Sequence, residues 1–209
     1  MKRILMRKTV LLAIFALALP IAAFADGSVD FGNEGGTLTG SSAGLSLNST
    51  LIAVDGWGSL GRVVGADLGS VTFSTGALTS GSLQMGGTFA GGGSLTINST
   101  GTQGLPGGVL FTGSFTGPVT WTMSTAANGT HAYVLSGLVT GTYANGTSGS
   151  GIVNLTVLAG KGYFNGSMSL TDRGSGDTII GTVPEPGTLG LLGTGLLGLA
   201  GLLHRKLKG

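Results

Sequence analysis

"HAYVLSGLVTGTY" (131–143) is the stretch on which the reading of the fold turns. Tyr133, Leu135 and Val139 recur at even spacing with small or polar residues between them, the period of a strand that buries one face. Asn128-Gly129 and Asn145-Gly146 bracket it, and such dipeptides suit the φ > 0 positions of tight turns. Working outward, "VLFTGSFTG" (109–117) puts Val109, Phe111 and Phe115 on one face, and "PVTWTMST" (118–125) does the same with Val119, Trp121 and Met123. "GIVNLTVLAG" (151–160) lines up Val153, Leu155 and Val157, and "GYFNGSMSL" (162–170) lines up Phe164, Met168 and Leu170. Asn165-Gly166 falls inside that last run and reads as a bulge. The upstream half carries strands with less apolar weight and more glycine. "GLSLNST" (44–50) and "GSLTINST" (93–100) share Leu-x-(Leu/Ile)-Asn-Ser-Thr, but two copies do not make a solenoid. No window has helical spacing free of interrupting glycines. The expectation is an all-β domain over 26–173, an antiparallel β-sandwich or flattened barrel of about ten strands. A glycine-rich parallel β-helix is the alternative, and residues 174–183 read as a short tether.

The chain has 209 residues, 43 of them glycine, and no cysteine. The absence of cysteine excludes disulfides, thiolate metal sites and cysteine nucleophiles. Low charge with substantial apolar content argues against disorder, and glycine without a triplet period excludes a collagen helix. The net charge of +2 conceals segregation: Lys2, Arg3, Arg7 and Lys8 stand at the front, and Arg205, Lys206 and Lys208 at the back. Between residues 26 and 183 only Arg62, Lys161 and Arg173 face seven carboxylates, a balance of −4. Such a body has no basic stripe for phosphates, so nucleic-acid binding is not expected.

The front reads as a secretory signal peptide over 1–25. Its cations precede an apolar run (10–19), and Ala23 and Ala25 form a small-x-small cleavage site before Asp26. At the other end, residues 188–203 carry no charge. As a helix, roughly 16 residues rising about 1.5 Å each cover about 24 Å, enough to cross a bilayer that thins slightly. Arg205, Lys206 and Lys208 would hold its far end in the cytoplasm. Before it stands Val183-Pro184-Glu185-Pro186, which its prolines bias toward extended backbone suited to a processing enzyme's cleft.

That order of Pro-Glu-Pro, apolar run and basic end resembles the PEP-CTERM sorting signal of Gram-negative bacteria. The segment is also catalogued as the C-terminal domain of ice-binding proteins. The resemblance covers residues 184–209 and implies that an exosortase is the partner. It makes Val183, Pro184, Glu185 and Pro186 the sorting motif, 188–203 a transmembrane helix, and Arg205, Lys206 and Lys208 the membrane stop. It also implies Sec-dependent export, a transient inner-membrane anchor, and an association with exopolysaccharide at the cell surface or beyond it.

Candidate chemistry in the body is sparse. His131 is the only histidine in the exported part, too few for a histidine metal site, and no Gly-x-Ser-x-Gly elbow surrounds any serine in a strand-to-helix context. Asp172 and Asp177 in "TDRGSGDT" could face a sugar or ligate calcium through oxygens, or simply mark a turn. Asp55 beside Trp57 could build a sugar-stacking site, or the tryptophan could cap the domain. Thr37/Thr39, Thr120/Thr122 and Thr140/Thr142 form Thr-x-Thr pairs like those of flat ice-binding faces, without a fixed repeat. The six Asn-x-Ser/Thr sequons (48, 98, 128, 145, 154, 165) fit turn chemistry in a Ser/Thr/Asn-rich chain. The expectation is a non-enzymatic exported surface or matrix protein with no catalytic residues and no cofactor. A discrete carbohydrate- or calcium-binding module is the alternative, and a hydrolase using His131 the third reading.

Overall fold

A computed structural model describes residues 27–182. The expected signal peptide, the sorting motif, the span 188–203 and the basic tail lie outside them. Twelve strands follow one another: β1 (Ser28–Ser41), β2 (Gly44–Asp55), β3 (Val63–Ser74), β4 (Leu78–Ser82), β5 (Gly86–Phe89), β6 (Gly92–Thr100), β7 (Gly107–Phe115), β8 (Val119–Thr125), β9 (His131–Tyr143), β10 (Ser148–Gly160), β11 (Ser167–Ser169) and β12 (Gly174–Thr182). Every pairing is antiparallel, so the β-helix alternative falls. The order β10-β12-β1-β2-β3-β6-β7-β9 closes on itself through β9–β10, giving an eight-stranded barrel. Closure removes the open edges that an all-β sheet otherwise exposes.

Two strands are longer than the barrel is tall, and each shares an edge between two partners. Along β9, residues 131–136 pair with β8 and residues 139–143 pair with β7. Gly137 stands at the fork, where an added Cβ would meet Phe115 and Val119. β8, β5 and β4 continue from there as a flap. The flap returns to the β1–β2 hairpin through Leu78 N–H donated to Ser42 O at 2.9 Å. On the other side, β1 pairs with β12 over Ser28–Glu34 and with β11 over Thr37–Thr39.

Alternation aims the apolar residues inward. β9 buries His131, Tyr133, Leu135, Gly137, Val139 and Tyr143 and turns the intervening residues outward. One end of the core joins Phe31, Trp57, Tyr143 and Phe111 edge to face. At the other end Trp121 stacks on Tyr133 (4.7 Å, 12°) with Phe164 edge-on. The flap turn fastens to this second cluster: Trp121 Nε1–H donates to Leu83 O at 2.9 Å, and Tyr133 O–H to Gln84 O at 2.7 Å. The two Leu-x-(Leu/Ile)-Asn-Ser-Thr copies are β2 and β6, which flank β3 on either side and bury Ser49 and Ser99 at like positions. All of these pairings and the whole core lie within Ser28–Thr182, a compact unit that holds what it needs to fold by itself.

Several expectations change. Residues 174–182 are not a tether but β12, the strand that joins β1 to β10 and completes the barrel. Val109 is not inward: β6 pairs Ile97 with Phe111 and the next residue, Asn98, with Val109, so Leu110 is an extra bulged residue. The bulge leaves Val109 44% exposed and Leu110 fully buried. Residues 161–166 form a loop rather than a bulged strand, with Gly40 N–H donating to Gly166 O at 2.8 Å. The upstream half forms strands as long as those downstream, including the longest, β1. Its apolar weight is low because polar residues such as Asn33 and Ser49 take inward places, where Asn33 Nδ2–H donates to Ser49 Oγ at 2.8 Å.

Candidate functional site

The anticipated site residues separate. Trp57, in the loop after β2, is half-buried and held edge-on between Phe31 and Tyr143 at 6.2 and 6.1 Å. Its ring closes one barrel end and is engaged in packing. Asp172 and Asp177 do not form a pair. Asp172 occupies the β11–β12 turn with φ of 58°, where Leu170 O accepts the N–H groups of Arg173 and Gly174. Asp177 lies exposed on the barrel wall, across from Gly32 on one side and Asn154 on the other. Asp55 ends β2 opposite Asp30. The wall thus gathers Asp30, Asp55 and Asp177, a grouping that no spacing along the chain announces. Burial raises the Asp30 carboxyl above its ordinary value, the Asp177 and Asp55 charges add to this, and Arg62 opposes it. Among the described residues, no three His, Asp or Glu side chains are grouped to hold a metal ion.

His131 opens β9, buried between Thr125 of β8 and Gly160 of β10. Its Nδ1 lies 2.9 Å from Thr125 Oγ1, so a hydroxyl rather than a carboxylate orients the ring. Tyr163 stacks on that ring at 4.3 Å and 21°. The histidine lines a cleft of about 470 Å³ with Asp172, Arg173, Thr130, Ser124 and Leu158. Tyr163 and Arg173 carried no signal in the sequence. Tyr163 comes to His131 from the loop after β10, whose Gly160 pairs with His131, and Arg173 through the return of β12, with Leu158 N–H donating to Arg173 O at 2.7 Å.

The larger polar feature is the wall. Following the registers from strand to strand, Ser169, Thr37, Asn48, Thr72, Thr96, Thr112, Thr142 and Ser148 stand side by side across β11, β1, β2, β3, β6, β7, β9 and β10. All eight face outward, exposed or half-buried. Beside this row runs a second, Ser167, Thr39, Ser46, Ser74 and Ser94, with Ser74 Oγ and Ser94 Oγ 3.1 Å apart. Neighbours within a row are about 4.8 Å apart and the rows about 7 Å apart, by strand geometry. Of the Thr-x-Thr pairs, Thr37 and Thr142 belong to the first row and Thr39 to the second. Apolar-in, polar-out alternation is the inverse of a lipid-facing barrel wall.

Residues 182–206 match the PEP-CTERM protein-sorting motif. No curated protein and no solved structure matches the chain. The matched segment begins at Thr182, the last residue of β12, so the motif follows the barrel with no spacer. The motif supports export and processing by an exosortase. The chain thus carries a PEP-CTERM sorting motif, and Ser28–Thr182 folds as a closed antiparallel barrel.

Proposed function

We propose that this is a non-enzymatic surface or matrix protein whose barrel wall contacts exopolysaccharide. The chain enters the Sec pathway, is held in the inner membrane by 188–203 with its C-terminus in the cytoplasm, and is released to the surface by exosortase. The observation that supports the contact role is the band of eight hydroxyl and amide side chains in register around the wall. Each group offers a donor or acceptor worth about 1 kcal/mol or less once water is displaced. Affinity from such a surface comes from many simultaneous weak bonds to a repeating partner, as in multivalent binding. A polyhydroxylated chain supplies that repeat, and a small ligand does not. The setting of His131 agrees with a non-catalytic role, since its Nδ1 is engaged by Thr125 rather than by an acid that would stabilise an imidazolium.

The test is affinity electrophoresis of the Ser28–Thr182 fragment through gels containing the host's extracellular polysaccharide, with and without calcium. Retardation independent of calcium is expected, and it should weaken when Thr72, Thr96 and Thr112 are changed together to valine. Migration unaffected by polysaccharide would overturn the contact role. Retardation that appears only with calcium would overturn the hydroxyl band as the contact.

A further inference from the structure

The barrel unit is acidic, yet one of its few cations stands beside its histidine. Within Ser28–Thr182 there are three cations, Arg62, Lys161 and Arg173, against the six acids Asp30, Glu34, Asp55, Asp67, Asp172 and Asp177. One of these cations, Arg173, meets the unit's only histidine at the His131 cleft. Arg173 lines it, and Lys161 directly follows Gly160, the register partner of His131. Of the six acids only Asp172 lines the cleft. Asp30, Asp55 and Asp177 lie on the wall of β12, β1 and β2.

An aromatic plate adjoins the cleft, stacked on its histidine. Tyr163 is 48% exposed although its ring lies flat on the buried His131. The neighbouring Phe164 is fully buried against Trp121, and its N–H donates to Tyr133 O–H at 3.1 Å. Phe164 thus anchors the loop while Tyr163 is held at the surface. The plate is backed on both levels, by the stack and by the Thr125 bond to the imidazole. An exposed tyrosine that does not shift costs little ordering on binding. The adjoining cleft offers the Arg173 guanidinium, suited to a carboxylate, the Asp172 carboxylate for hydroxyl donors, and the hydroxyls of Ser124 and Thr130. The cleft's volume falls at the small end of ligand sites, which suits one or two sugar rings.

The geometry points to a subsite for an acidic sugar, a pyranose bearing a carboxylate, with its ring on Tyr163 and its charge on Arg173. This rests on the reading of the barrel as a polysaccharide contact and names the part of the polymer that is recognised. It is separate from the hydroxyl band, so the two can fail separately.

The test is affinity electrophoresis of the Ser28–Thr182 fragment through polygalacturonate, with dextran as the neutral polymer and circular dichroism to confirm folding. The fragment's net charge is negative, so retardation by a polyanion would have to come from a local site. Tyr163→Ala and Arg173→Gln are each expected to raise the apparent Kd for polygalacturonate about tenfold. Arg62→Gln, which removes the cation away from the cleft, should leave it unchanged. Equal losses for Arg62→Gln, or folded cleft variants that bind as the parent does, would overturn the subsite. Retardation by dextran but not by polygalacturonate would overturn it while leaving the polysaccharide role standing. Migration unaffected by either of these polymers or by the host's own polysaccharide would overturn both.

Discussion

Tyr133 holds three parts of the molecule together, and removing one oxygen atom should show it. The hydroxyl donates to Gln84 O in the flap turn at 2.7 Å and accepts from Phe164 N–H at 3.1 Å. The ring is fully buried and stacked on Trp121. Tyr133→Phe keeps the ring, the stack and the volume, so no cavity term enters. It leaves the buried Phe164 N–H without its acceptor, a loss of about 1–3 kcal/mol. The bond to Gln84 adds about 1 kcal/mol, less than a buried orphan because that carbonyl can turn to water. The sum is roughly 2–4 kcal/mol. Tyr143→Phe is the matched control: its hydroxyl makes one bond, to Ile180 O at 2.7 Å, and leaves behind a carbonyl with a second lone pair. Its cost should be about 1 kcal/mol.

Thermal unfolding of the Ser28–Thr182 fragment, followed by tryptophan fluorescence, reads both. For a unit of this size each kcal/mol lowers Tm by about 2–4 °C. Tyr133→Phe should therefore melt roughly 5–15 °C below the parent and Tyr143→Phe about 2–4 °C below. The flap and the 161–166 loop should also become more open to proteolysis in the first variant and not in the second. Equal small costs for the two variants would refute the view that Tyr133 fastens the flap and loop to the barrel.

Asp30→Asn should stabilise the fold at pH 7. The folded-state carboxyl titrates above its ordinary 3.8, so its ionisation opposes folding at neutral pH. The gain should fade as pH falls through the raised value toward 3.8, and unfolding curves across that window check it. A gain that is constant with pH would show that the charge is not its origin. Gly151→Ala should cost about 1–3 kcal/mol or block folding, because its Cβ would strike Ile179 O across the β10–β12 ladder. Gly129→Ala, at a turn with φ of 79° and open space around it, should cost only about 1–2 kcal/mol, and paired melts compare the two. Thr178→Val should raise stability by about 1 kcal/mol, since the Thr178 hydroxyl is buried without a partner and valine keeps the shape. Denaturant midpoints measure it.

The alternation of "HAYVLSGLVTGTY" was legible because β9 is paired on both edges and buries a whole face. The Asn-Gly turns were legible because Asn128 Oδ1 and Asn145 Oδ1 each accept the N–H two residues on, a bond made from neighbours alone. Closure was not legible. Whether antiparallel strands form a sandwich or a ring depends on β9 finding β10 on one side and β7 on the other, and pairing partners leave no mark in a local period. The misreading of Val109 has a similar cause: one extra residue in β7 inverts every side chain beyond it. Residues 174–182 looked like a tether because glycine and serine thin their apolar weight, yet Thr178 and Ile180 point into the core. The candidate sites were less legible still. Thr72 and Thr96 carry no mark in sequence and become part of a band only when seven ladders fall into register. Tyr163 meets His131 through the β9–β10 pairing, and Arg173 through the return of β12.

That return also limits where the sorting machinery can cut. β12 is bonded on both edges, from Ser28↔Gly181 to Glu34↔Ser175 on one and from Gly149↔Thr182 to Val157↔Gly174 on the other. A cut within it would break two ladders at once and expose the core at Ile180, which is fully buried. Fully burying such a side chain contributes about 1.5–3 kcal/mol, and a domain of this size has only about 5–15 kcal/mol in all. Loss of the strand's last residues would thus leave an open barrel with unpaired edges on β1 and β10, a form prone to aggregate. A processed protein that remains soluble must keep Thr182, so the cut falls in the matched segment beyond it. Intact-mass measurement of the protein released by cells should give a C-terminus at or after Thr182. A folded, soluble product ending before Ile179 would show that the barrel does not depend on β12 for its closure.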